Sequence, residues 1–298
     1  MGLFRILSGF AEHPLTKDAR AEAIARYVRW QVGSRLLGHS VAVPFVGQTR
    51  LLASAQMTGA TGNIYYGLHE FQDMAFVLHA LRPDDLFVDV GANVGSYTVL
   101  AAGVCGAGAI AFEPIVKTFE RLVDNVQLNR LSGRVDCRNA AIGGEKGVLK
   151  FTRFYDTTNH VIGSDEPSTG DNVVEVAVER LDDALNGRIP TVMKIDVEGF
   201  ETAVIAGGET VLGDPRLQAV LMELIGAGTR YGHDEDVLHQ RLLGFGFKTY
   251  AYDPLRRTLT DKGRAREHDG NTLYVRDAVQ VGQRLQTAPK FDVIGKQV

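Results

Sequence analysis

The stretch Phe87-Val88-Asp89-Val90-Gly91-Ala92-Asn93-Val94-Gly95-Ser96 decides how this chain folds. Phe87, Val88 and Val90 suit a strand covered on both faces, as in a parallel sheet. Gly91 permits a tight turn and a close approach of backbone to a ligand. Gly95 opens a helical pattern running from Ser96 to Ala102. A helix N-terminus with bare backbone N–H groups suits a nucleotide-like ligand. The glycine spacing is Gly-x-x-x-Gly, not the Gly-x-Gly-x-x-Gly of dinucleotide folds. That difference moves the expected ligand from NAD to S-adenosylmethionine.

The next segments of the chain keep to this plan. Ala109-Ile110-Ala111-Phe112 is a second apolar strand, and it ends in Glu113-Pro114. In a doubly wound sheet an acid at that point suits the two hydroxyls of an adenosine ribose. Glu113 also complements the dipole of the next helix, and the two roles are compatible. Pro114 suits a first helical turn, and the pattern behind it runs from about Ile115 to Arg130. A third strand, Val135 to Cys137, leads into Asn139-Ala140-Ala141. Together these make one strand–helix–strand–helix–strand half of an α/β nucleotide fold.

Further on, Val192-Met193-Lys194-Ile195-Asp196-Val197-Glu198-Gly199-Phe200-Glu201 is again a strand that ends in acids and a glycine. Three ordered motifs now stand in one register: Phe87 to Gly95, Phe112-Glu113-Pro114, and Lys194 to Glu201. They resemble the FkbM family of S-adenosylmethionine-dependent methyltransferases. Asn125-x-x-x-Asn129, Leu181-Asp182-Asp183 and Leu221-Met222-Glu223 match as well. The resemblance covers roughly Leu81 to Leu224, with a weaker match from Asn271 to Val275. It implies a Rossmann-like class I methyltransferase fold: a seven-stranded, mostly parallel sheet with helices on both faces and an antiparallel last pair. It also implies O-methylation of a small hydroxylated molecule, a sugar of a glycan or a natural product. Near Glu70 it places an acid close to the cofactor.

The 298 residues are 45% hydrophobic and 23% charged, which is ordinary globular composition. A net charge of -4 leaves no broad basic excess, so nucleic acid is not the expected partner. No apolar run approaches the roughly 20 residues of a membrane span. Met1 to Phe10 lacks a secretory cleavage pattern, and Ile6 breaks the myristoylation pattern. The two cysteines, Cys105 and Cys137, read as buried free thiols of a reducing compartment. The expectation is a cytoplasmic protein, with homo-oligomers open.

Three parts are expected: an N-terminal extension over 1–69, the methyltransferase domain over 70–280 and a tail over 281–298. From Ala21 to Leu37, Ile24, Tyr27, Val28, Val32 and Leu36 mark one helix face. That face should dock on the protein and leave Arg20, Arg26, Arg29 and Arg35 in solvent; a membrane-surface or partner-binding helix is the alternative. Val41 to Phe45 and Arg50 to Gln56 read as a hairpin around Gly47-Gln48. Gly59 to Gly67 reads as a loop, and Glu70 to Leu81 as a helix. Tyr155 to Asp171 is a polar insertion between two β segments, and long loops of this kind are commonly functional.

At the cofactor, Asp89 is expected to accept from the amino group, or else to brace the glycine turn. Gly91 and Gly95 allow close approach. Asn93 binds the amino acid end or stabilises the turn; Asn139 faces adenine or serves as a turn residue, and Ala140 leaves room there. Asp196 ends the fourth strand, where donor and acceptor should meet, and is the first candidate for orienting or deprotonating a hydroxyl. Glu198 and the loop residue His160 are the other catalytic candidates, His160 because a neutral imidazole can take a proton near neutral pH. Lys194 should point to the same side as Asp196. Asp196, Glu198, Glu201 and Glu223 together also make a set of hard oxygen donors. The strand end lacks an Asp…Asp-Asn pattern, which argues against a metal centre.

Two other functions compete. An amino-methylating enzyme of nucleic acid would carry an Asn/Asp-Pro-Pro-Tyr/Phe element where Asp196-Val197-Glu198-Gly199 stands. A non-catalytic nucleotide-binding protein would bind S-adenosylmethionine, or nothing, without turnover.

Overall fold

The computed structural model describes residues 3–54, 57–152, 159–163 and 170–298. In chain order the N-terminal part holds α1 (Leu3–Glu12), α2 (Arg20–Leu37), β1 (Val41–Pro44), β2 (Arg50–Ala53), α3 (Thr58–Tyr66) and α4 (Phe71–Ala80). Next come β3 (Leu86–Val90), α5 (Ser96–Val99), β4 (Gly108–Phe112), α6 (Val116–Leu128) and β5 (Val135–Arg138). After them stand β6 (Ala141–Ile142), β7 (Gly147–Thr152), β8 (Val173–Glu179), α7 (Leu181–Leu185), β9 (Val192–Ile195), α8 (Glu201–Ala206) and α9 (Glu209–Gly213). The chain closes with β10 (Ala219–Glu223), α10 (Glu235–Gly244), β11 (Lys248–Asp253), β12 (Thr258–Asp261), β13 (Asn271–Val275), α11 (Ala278–Gln286), β14 (Asp292–Val293) and β15 (Lys296–Gln297).

The main sheet has the order β12-β11-β13-β10-β9-β3-β4-β5. The run from β10 to β5 is parallel, and β13, β11 and β12 are antiparallel to their neighbours. This is the expected Rossmann-like α/β architecture, with one strand more than the seven anticipated. β12 is short, polar and at the sheet edge, so no apolar pattern announces it. Alternation divides the core between two faces. Phe87 packs with Phe76, Leu221 and Leu285, whereas Val88 packs with Ile110, Met193 and Leu242. β6, β7 and β8 form a separate three-stranded sheet beside the site.

Several local expectations change. The stretch read as a loop from Gly59 to Gly67 is the helix α3, closed by Gly67 at φ 85°. Its glycines and β-branched residues disfavour a helix, but tertiary contacts override them. The Asn63 side chain donates to Ser96 Oγ and accepts from the His69 N–H, while Tyr65 and Tyr66 are buried. Helix α2 turns a different face inward from the one expected. Ala23, Trp30 and Ser34 are buried, and Arg26 donates to the Tyr65 carbonyl, while Ile24, Val28, Val32 and Leu36 are exposed. Trp30 alone offers more apolar area than any of those aliphatics, and the helix rotates to bury it.

Residues after 280 join the fold. Val281, Leu285, Val293 and Val298 lie in the main core, and Val293 bridges to Val46. Cys105 is buried and Cys137 half-buried, both as free thiols. Two family motifs act as clamps. Asn125 of α6 and Asn129 just beyond its end hold Leu52 and Arg50 of the hairpin, and Asp182 accepts from the Thr210 and Val211 N–H groups at the start of α9. Among the described residues no helix is long and apolar enough to cross a membrane.

Candidate active site

At the carboxyl end of β3 the chain turns through Gly91 to Gly95 and enters α5. Gly91 has φ 82°, and a Cβ there would stand 1.8 Å from the Asp196 carbonyl oxygen. A side chain at Gly95 would meet Leu122 Cδ1 at 2.5 Å. Both glycines thus answer to the packing of the chain on itself. Gly91→Ala should therefore cost about 3 kcal/mol, from backbone strain plus displacement of the β9 end. Chemical denaturation measures it; a loss below about 1 kcal/mol would show that the turn relaxes freely.

The backbone N–H groups from Gly91 to Gly95 are already engaged. Those of Gly91 and Ala92 both donate to the Phe112 carbonyl, that of Gly95 to Ala92, and that of Val94 to the Asn93 side chain. The Asn93 N–H donates to Glu113 Oε2 at 3.0 Å, and Ile115 N–H donates to Oε1 at 3.0 Å. Asn93 itself has φ 51°, a strained conformation common at functional sites. The turn therefore presents side chains and carboxylate lone pairs rather than an anion-binding nest. Ionised Glu113 still has acceptor capacity, since a carboxylate offers about four lone-pair positions.

A cavity of about 650 Å³ opens over the carboxyl ends of β3, β4, β9 and β10. Six carboxylates line it: Glu70, Asp89, Glu113, Asp196, Glu198 and Glu223. Lys194 and Arg35 are the lysine and arginine among its lining residues. Asp89 is buried and accepts from Thr98 Oγ1 at 2.6 Å, so it braces α5 as well as facing the cavity. Glu70 accepts from the Tyr97 hydroxyl at 2.5 Å. Lys194 Nζ sits 2.6 Å from Asp196 Oδ2 and 4.9 Å from the centre of the Tyr97 ring. Burial opposes the charge on Lys194, but Asp196, Glu70 and Asp89 around it outweigh that and hold the ammonium more firmly than usual.

Asp196, Glu198 and Glu223 converge, with one carboxylate oxygen from each lying within 4.8 Å of the others. The register of β9 with β10 causes this: Ile195 is level with Met222, which brings Asp196 beside Glu223. Glu198 is held at φ 54° in the turn behind β9. Such spacing suits hard-cation coordination, yet Lys194 already supplies a positive charge to Asp196. Glu201, the fourth acid of the expected set, is used otherwise: Oε1 accepts from the Val197 and Gly199 N–H groups and closes the turn.

Three expected site residues, Gly95, Asn139 and His160, stand outside the cavity lining. Asn139 is exposed, and its side-chain amide donates to the Glu113 and Pro114 carbonyls, which makes it a brace of that loop. His160 is half-buried with its N–H on Thr152 Oγ1; its neighbour Asn159 lines the cavity instead. Ala140 is buried and does line it. Most of the polar insertion, 155–158 and 164–169, lies outside the described residues. Glu223, expected in one donor set with Asp196, Glu198 and Glu201, does stand beside Asp196, because β10 pairs with β9. Tyr97, which carries no motif signal, joins Glu70 to Lys194.

Burial pushes the carboxyls of Glu113 and Glu198 up to about 7 and that of Asp89 to about 6. Glu223 is pushed to about 8, by burial first and then by the charge of Asp196. The folded ligand-free protein therefore binds more protons than the unfolded chain between these values and the usual carboxylate range. Such raised values contribute stability at low pH that is lost as pH rises through them. Thermal stability without ligand should fall as pH rises from the usual carboxylate range, about 4, to about 8, and level off above. In the lower part of that window, up to about pH 6.5, the half-buried His13 and the buried His79, both lowered to about 4 mainly by burial, partly offset the trend. A scanning calorimetry series that is flat or rising across the window would contradict this assignment.

The chain is similar to known methyltransferases. Residues 89–263 match the model of the methyltransferase FkbM domain. The chain is 31% identical over 221 residues to the 31-O-demethyl-FK506 methyltransferase FkbM of Streptomyces tacrolimicus, covering 62% of this chain and 82% of that protein. It is 29% identical over 140 residues to the hexuronic acid methyltransferase AglP of Haloferax volcanii, covering 44% of this chain and 53% of that protein. Among solved structures, the C-terminal domain of precorrin-6Y C5,15-methyltransferase from Rhodobacter capsulatus superposes with a TM-score of 0.39 at 14% identity, covering 70% of this chain and 87% of that one.

Proposed function

We propose that this chain, which belongs to the FkbM methyltransferase family, is an S-adenosylmethionine-dependent O-methyltransferase acting on a hydroxyl of a small molecule, a sugar of a glycan or a natural product. The observation that carries the reading is the acid lining of the cavity, whose carboxyls a bound cation ionises. Six carboxylates face the cavity, and the N–H groups of the glycine turn are spent internally. Such a site favours a sulfonium and an ammonium, and it disfavours the pyrophosphate of a dinucleotide. The names of the two relatives, one for 31-O-demethyl-FK506 and one for hexuronic acid, support an oxygen acceptor.

S-adenosylmethionine supplies an electrophilic methyl group on a cationic sulfur. In this reading Glu113 accepts from the ribose hydroxyls, and Asp89 and Asn93 take the amino acid end. Asp196, pinned by Lys194, orients the acceptor hydroxyl. Glu223 stands beside Asp196 and Glu198 with its carboxyl pushed up by burial, so it can receive the hydroxyl proton. Alignment of the two reactants provides most of the acceleration, and a positioned base adds to it.

The test is methyl transfer from labelled S-adenosylmethionine to a panel of hexoses, uronic acids and macrolides, with RNA and amines alongside. Label in an alkali-stable ether of a hydroxylated acceptor is the expected result. Label only in RNA or amines, or cofactor binding without transfer to any acceptor, would overturn the reading.

A further inference from the structure

Helix α2 leaves an apolar seam in solvent. Ile24 is 40% exposed, Val28 50%, Val32 53% and Leu36 80%. The centre of this face is Ala21, Ala25, Val28 and Val32, at successive intervals of four, three and four residues. That is the spacing by which one helix packs along another at a shallow angle. The opposite face is already committed to the protein through Ala23, Trp30 and Ser34. We propose that this seam is a homodimer interface, formed by α2 pairing antiparallel with α2 of a second copy.

Two features select a second copy as the occupant. The first is shape. An antiparallel register that sets Val28 against Ala25 of the second copy also sets Val32 against Ala21. Large residues then meet small ones along the seam, and a two-fold axis repeats both contacts. The second is charge. Glu22 and Arg29 lie seven residues apart and so flank the seam on the same side. In an antiparallel pair the like flanks meet, and this register places Glu22 within two residues, about 3 Å along the axis, of Arg29 of the second copy. The ion pair forms twice. A membrane surface would be served better by aromatic or leucine-rich residues with basic ones on both margins, whereas this seam is centred on alanine and valine and carries Glu22 on its rim. One helix pair falls short of the roughly 1,600 Å² of a standard interface, so the dimer should dissociate in the micromolar range.

The test is sedimentation of the full chain from micromolar concentrations to a few hundred micromolar, with Val28→Asp, Glu22→Arg, Arg29→Glu and the double exchange Glu22→Arg with Arg29→Glu. These positions are exposed, so circular dichroism should stay unchanged. The expected result is a concentration-dependent dimer that Val28→Asp weakens at least tenfold, that each single charge reversal weakens, and that the double exchange restores. A wild type that stays monomeric throughout, or a dimer indifferent to Val28→Asp, would overturn the proposal. So would a monomer that instead pellets with phosphatidylserine vesicles, which would assign the seam to a lipid surface.

Discussion

Replacing Glu113 with alanine is expected to weaken S-adenosylmethionine binding about a hundredfold, the loss of two hydrogen bonds to a carboxylate at roughly 1.5 kcal/mol each. Glu113 also ties Asn93 and Ile115 together, so its removal leaves two backbone N–H groups of the turn without their partner. The variant should melt lower as well, because a buried donor left unpaired costs about 1–3 kcal/mol. Affinity and stability are separable. Calorimetry gives the first, and denaturation without ligand gives the second. A variant that melts lower but binds as the wild type would make Glu113 a brace of the glycine turn and no more.

Asp196→Asn should lower turnover at least a hundredfold while cofactor affinity changes by less than threefold, since the substituted group faces the acceptor. The amide keeps the shape but loses the ion pair with Lys194, which then stays buried among the remaining acids. Glu223→Gln should reduce turnover comparably and alter its pH dependence as well. With Glu223 pushed up to about 8, a base role predicts that wild-type turnover rises as pH increases towards that value. The glutamine variant should lose this rise. Full activity in Asp196→Asn, or an unchanged acidic limb in Glu223→Gln, would remove the respective residue from the catalytic list.

Much of the nucleotide half of the fold is legible because its residues obey local rules. Phe87 to Val90 is apolar enough for a covered strand, Gly91 and Gly95 stand where φ turns positive, and Pro114 opens the segment before α6. Lys194 and Asp196 share a side of the chain because strand residues alternate, and they are found paired. Features that depend on distant partners are not legible. Helix α3 exists because Asn63 reaches Ser96 and His69, not because its own residues favour a helix. The rotation of α2 is set by the burial of Trp30, which an averaged apolar face conceals. The grouping of Glu223 with Asp196 is as expected, but that Glu201 turns away to close the loop depends on the backbone path behind β9. In the turn, the residue types show where N–H groups occur but not that Phe112 and Glu113 consume them.

An acid-lined cavity over the glycine turn should take a cationic methyl donor and refuse a dinucleotide. Titration calorimetry of the purified protein with S-adenosylmethionine, with NAD in parallel, tests this most directly. Saturable binding of S-adenosylmethionine and no heat from NAD is the expected result. Binding of NAD alone, or of neither, would contradict it.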